Sequence, residues 1–86
     1  MYYVYILYSR RDKELYTGCT HDLRRRYREH QDGLVDSTRY RRPLELIYYE
    51  AHISKDNAGR RELFYKSGRG RETLNKILKE TFSELR

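Results

Sequence analysis

The chain has 86 residues, with hydrophobic and charged residues at 37% each. That size and balance exclude a large apolar core, and no apolar run is long enough to span a membrane. A net charge of +6 favours an anionic partner, with nucleic acid first and an acidic membrane surface or acidic protein behind it.

If four arginines or lysines touch phosphates, log K should fall with log salt at a slope of roughly −3.6. Aromatic content is almost all tyrosine, ten Tyr against two Phe and no Trp. Tyrosine packs its ring and still offers a hydroxyl, which suits a half-polar site. Cys19 is the sole cysteine, which excludes an intramolecular disulfide and a multi-cysteine zinc site. It reads as a small buried hydrophobe. "MYYVYILYSRR" lacks the basic start of a secretory leader. A cytoplasmic protein of one domain, residues 1–86, is expected.

Residues 2–8, "YYVYILY", are aromatic and β-branched and predict a strand covered on both faces. "SRRDKE" is a polar turn, and "LYTG" is a second short strand ended by Gly18. The two should form an antiparallel hairpin closing on residues 9–14. That register sets Leu7 opposite Tyr16 and Tyr5 opposite Gly18, so Tyr5 and Tyr16 point the same way.

Thr20 or Asp22 can cap the helix that follows. Along it Leu23, Tyr27, His30 and Leu34 recur at the spacings of one face, with Arg26 beside Leu23. Arg24, Arg25 and Arg28 point to solvent, and Gly33 ends the helix. A basic loop, "LVDSTRYRRP", leads to Pro43, which opens a third strand, "LELIYYE". Ser54 predicts the N-cap of a second helix through Lys66, with Ala58, Glu62 and Tyr65 on one stripe. Gly59 within it costs about 1 kcal/mol relative to alanine. "SGRG" breaks the chain. A last amphipathic helix presents Leu74, Ile77, Leu78, Thr81, Phe82 and Leu85. The predicted order is β-β-α-β-α-α: an α+β domain with a small three-stranded antiparallel sheet flanked by helices.

Phosphodiester cleavage needs a nucleophile, positive charge at the phosphorus and help for the leaving oxygen. Arg26 offers a fork that matches two phosphate oxygens. Glu62 offers a hard oxygen, and one carboxylate with waters and substrate phosphate is a familiar magnesium arrangement. Tyr5 could act as a base if its pKa fell well below ~10, and a nearby metal and Arg26 would both push it down. His30 could relay a proton or hold a tyrosine hydroxyl. Plainer roles fit the same residues. Arg26 could cover the core with its stem, His30 could be a satisfied structural histidine, and Glu62 could pair with Arg61 or Lys66.

Several segments together carry a resemblance: "YVYIL" at 3–7, "LYTGCTHDLRRRYREH" at 15–30, "STRYRRPLELIYYE" at 37–50 and "RRELFYKSG" at 60–68. In order and spacing the chain resembles the GIY-YIG nuclease superfamily, in its small stand-alone bacterial form. The first motif falls on Tyr3-Val4-Tyr5, with its glycine and isoleucine replaced, and the second on Tyr16-Thr17-Gly18, with threonine for isoleucine. The resemblance implies endonucleolytic hydrolysis of a nucleic acid, most readily DNA, at a single Mg2+ or Mn2+ site. It implies catalytic roles for Tyr5 as general base, Tyr16, Arg26 on the scissile phosphate, His30, and Glu62 as the metal ligand. Arg26, Thr38, Arg39, Arg41 and Arg42 are expected to contact the nucleic acid. Larger relatives carry a separate DNA-binding region, and none is expected in this chain, so the resemblance leaves open a weak nuclease, one that favours single strands or branched ends, or one that takes its specificity from a protein partner. A non-catalytic nucleic-acid-binding module using the same basic cleft is the alternative.

Overall fold

The computed structural model describes residues 1–85. Strand β1 (Tyr2–Ser9) is the centre of the sheet. It pairs antiparallel with β2 (Leu15–Thr20) on one side and β3 (Leu44–His52) on the other. Val4 through Ser9 are all buried, as the continuous apolar run requires of a strand covered on both faces. Ile6 and Leu7 keep no exposed surface, and each contributes roughly 2–3 kcal/mol by leaving water.

The hairpin has the expected register, Leu7 opposite Tyr16 and Tyr5 opposite Gly18. Gly18, however, does not end β2, which runs on to Thr20. A strand can keep its ladder through a glycine where another group lies against the bare backbone, and here that group is the Tyr5 ring.

Helix α1 (Leu23–Gln31) starts at Asp22, whose side chain accepts from the Arg25 N–H at 3.1 Å. It packs Leu23 and Tyr27 on the face of the sheet that carries Tyr5, Leu7 and Leu44. Gly33, at φ +77°, turns the chain away just past the helix. That turn leaves Leu34 71% exposed, so the expected apolar stripe stops at His30.

The opposite face carries the larger core. Val4 and Ile6 meet Ala58 and Tyr65 of α2 (Lys55–Lys66), Leu74 of α3 (Gly68–Ile77) and Phe82 of α4 (Lys79–Leu85). Ser54 caps α2 as expected, accepting from the Asn57 N–H. The "SGRG" segment differs from expectation. It is a junction and not a gap, because Ser67 caps α3 directly. A Cβ on Gly70 would overlap the Phe64 carbonyl, so only glycine lets α3 cross α2 this closely. The expected single last helix is two, interrupted at Leu78 (φ −111°). Leu74, Leu78 and Phe82 stay buried at four-residue spacing, while Ile77 is 48% exposed and lies off that face.

A polar network pins α2 to β3. The Glu50 carboxylate accepts from Arg61 at 2.8 and 3.0 Å, from Tyr48 at 2.9 Å, from His52 at 3.2 Å and from the Tyr65 hydroxyl. Burial alone would raise its pKa, but these donors outweigh burial and hold it down to about 2. Among the described residues no helix is long and apolar enough to cross a membrane.

Candidate active site

Tyr5 sits at the middle of β1 and is 1% exposed. Its ring lies over Gly18, where any Cβ would overlap the phenol. The hydroxyl is 2.8 Å from His30 Nε2, and the charge of Arg26 acts on the same phenol. Tyr16, on the same face, completes the group, with ring centroids 6.4 Å from Tyr5 and 5.1 Å from His30. The structure therefore brings together four residues from β1, β2 and α1 that stand up to 25 positions apart.

Arg26 and His30 reach this place because they lie one turn apart on α1. Arg26 is about a third exposed, with its side chain at 36%. Glu29 Oε1 accepts from Arg26 Nη1 at 3.0 Å and so holds the fork in place. Glu29 is the site neighbour absent from the expected residues, although its three-residue spacing from Arg26 is the signal for such a pair.

The electrostatics divide the two proton-bearing groups. Burial pushes the Tyr5 phenol up, and the hydrogen bond and charge of Arg26 only partly offset this, leaving it at about 12. Arg26 does push the Tyr5 pKa down, as expected, but desolvation is the larger effect. Burial and the nearby Arg26 charge push His30 down to about 4. At neutral pH Tyr5 is a phenol and His30 a neutral imidazole.

Glu62 projects from α2, which packs on the face of the sheet opposite Tyr5, yet its charge raises the pKa of both Tyr5 and Cys19. Its carboxylate receives Lys66 Nζ at 3.0 Å, with a quarter of the side chain exposed. Arg61, the other expected partner of Glu62, goes to Glu50 instead. Among the described residues no three His, Cys, Asp or Glu gather to hold a metal. A lone accessible carboxylate fits a magnesium-type ion bound mainly through water and substrate oxygens.

The basic loop separates into different tasks. Arg41 is tied to Asp12 at 2.6 Å and to the Leu15 carbonyl at 3.3 Å, which makes it a strut between the loop and the hairpin turn. Arg39 stacks over Tyr40 at 4.9 Å. With Arg11, Gln31 and Arg42 it lines an open groove of about 570 Å³. Thr38 is the exception. Contact with nucleic acid does not fit a side chain with no exposed surface; its hydroxyl is 2.7 Å from His30 Nδ1.

Residues 1–75 match the family model of the GIY-YIG catalytic domain. A UPF0213 protein of Streptococcus pyogenes serotype M5 (strain Manfredo) is 43% identical over 70 residues, covering 80% of this chain and 75% of that protein. The serotype M2 (strain MGAS10270) counterpart matches equally, with the same coverage. Among solved structures, the solution NMR structure of the UPF0213 protein BH0048 from Bacillus halodurans is similar, with a TM-score of 0.57 and 40% identity. It covers 90% of this chain and 85% of its own.

Proposed function

This chain belongs to the GIY-YIG catalytic-domain family, and on that premise we propose that it is a metal-dependent endonuclease hydrolysing DNA phosphodiester bonds in the cytoplasm. One observation supports the reading above the others: Tyr5, Tyr16 and His30 meet at one place where the charge of Arg26 acts, with the Tyr5 hydroxyl held on His30 Nε2.

In this reading Arg26 places its fork on two oxygens of the scissile phosphate and stabilises the charge that builds there. Tyr5 takes a proton from the attacking water. A phenol held near pKa 12 is not ionised beforehand, so its own proton must leave in the same event. His30 Nε2, at 2.8 Å and neutral, receives it. The result is a neutral phenol, an imidazolium and a new phosphorus–oxygen bond from the water oxygen, while the phosphorus bond to the leaving oxygen breaks and that oxygen takes a proton from solvent water. Tyr16 orients the reacting groups. Glu62 would hold the single Mg2+ or Mn2+ ion, which when bound supplies Lewis-acid stabilisation of the phosphate oxygens. Arg39 and Arg42 would guide the backbone by charge without reading sequence, and a protein partner would supply specificity.

Incubation with single-stranded, duplex and branched DNA, with magnesium and with a chelator, tests this. Cleavage that requires the metal is expected. Salt-sensitive binding without cleavage in any divalent metal would instead make the chain a binding module.

A further inference from the structure

His30 Nε2 lies 2.8 Å from the Tyr5 hydroxyl, and Nδ1 lies 2.7 Å from Thr38 Oγ1. His30 and Thr38 both have no exposed surface, so the His30 ring depends on Tyr5 and Thr38 for its hydrogen bonds. A neutral imidazole carries one proton, so one nitrogen donates and the other accepts. The Arg26 charge acts on the Tyr5 oxygen, and a phenol is a stronger donor and a weaker acceptor than the alcohol of Thr38. The phenol proton therefore needs an acceptor, and Nε2 is within reach. That places the imidazole proton on Nδ1, with Thr38 Oγ1 as its acceptor.

The reverse arrangement would point a ring N–H at the phenol oxygen and turn the phenol proton, the better donor of the two hydroxyls, away from the acceptor 2.8 Å away at a residue 1% exposed. Thr38 is itself held firmly. Its N–H donates to the Val35 carbonyl at 3.1 Å, and its carbonyl accepts from Arg41 at 2.8 Å.

We infer that Thr38 is a positioning residue whose buried hydroxyl fixes His30 in the Nδ1–H tautomer, leaving Nε2 open to accept the Tyr5 proton. Its catalytic meaning rests on the role proposed above for Tyr5, but the tautomer does not. The chain uses Thr38 to decide which way protons run through a histidine that cannot reach water, a role distinct from touching substrate.

Nitrogen NMR of the imidazole rings in the 15N-labelled full chain at pH 7, without metal, tests it. His21→Gln and His52→Gln variants identify the His30 signals by elimination. The expected spectrum shows His30 with Nδ1 protonated and Nε2 bare. In Thr38→Val, similar in shape but without the hydroxyl, the Nε2-bound proton should become populated, and kcat should fall about 10-fold with KM unchanged. Thr38→Ser should restore both the spectrum and the rate. A wild-type spectrum with the proton on Nε2 overturns the proposal, as does a Thr38→Ser variant that fails to keep the wild-type tautomer. If Thr38→Val does not fold, those two spectra still decide. They need no cleavage, so loss of the nuclease reading and loss of this inference are separately visible.

Discussion

The phenol of Tyr5 lies against the bare backbone of Gly18, its cross-strand partner, so closely that any Cβ there would overlap the hydroxyl and ring. Glycine at this position is a space requirement and not a turn requirement, since β2 continues past it. Gly18→Ala must therefore push the Tyr5 ring out of its place against His30. Cleavage is expected to fall by at least 10-fold, and thermal unfolding should show a loss of about 1–3 kcal/mol from overpacking. Unchanged turnover would show that the ring has room to spare.

Arg26→Lys is expected to lower kcat by roughly 10- to 100-fold with little change in the melting temperature. An ammonium is a point charge and cannot replace a fork held by Glu29 3.0 Å away. The paired measurement of turnover and thermal melting separates a lost phosphate contact from a damaged helix. Near-normal turnover in the lysine variant would remove Arg26 from its assigned role.

Burial, followed by the Arg26 charge, holds His30 at about 4 in the folded state, below its ordinary 6.5. The unfolded chain therefore binds more protons between those values. The stability that His30 contributes is fully present above about pH 6.5 and is lost as pH falls towards 4. Cleavage by the folded protein should decline only as pH approaches about 4, where His30 itself takes up a proton and cannot accept one from Tyr5. Melting curves of wild type and His30→Gln across pH 4–7 check this. The wild-type slope should be steeper, and identical slopes in the two would contradict it. Asp12 and Glu50, both held at about 2, lose their charge lower down.

Much of this site was legible in the sequence, for local reasons. A hairpin closing on residues 9–14 fixes which face Tyr5 and Tyr16 share, and the four-residue step from Arg26 to His30 puts both on one helix stripe. Contacts made by chain reversal were not legible. Thr38 meets His30 only because Gly33 turns the chain back after α1; read along the sequence, it is one hydroxyl in a basic loop. Arg61 looks like a helix partner of Glu62, but β3 places Glu50 across from it, a pairing fixed by sheet register and helix docking. The depth of burial around Tyr5 was also hidden, because the layers that cover the phenol come from distant segments, and so its outweighing of the Arg26 effect was not legible.

Glu62→Gln is the most direct test of the proposed chemistry, because it keeps the shape of the side chain and its place on α2 while removing the charge that would hold a metal. DNA cleavage and DNA binding measured side by side, with magnesium and with chelator, give the answer. The expected result is loss of magnesium-dependent cleavage, with affinity in chelator within about threefold of wild type. Magnesium-dependent cleavage that survives in Glu62→Gln at the wild-type rate would contradict a metal site built on this carboxylate.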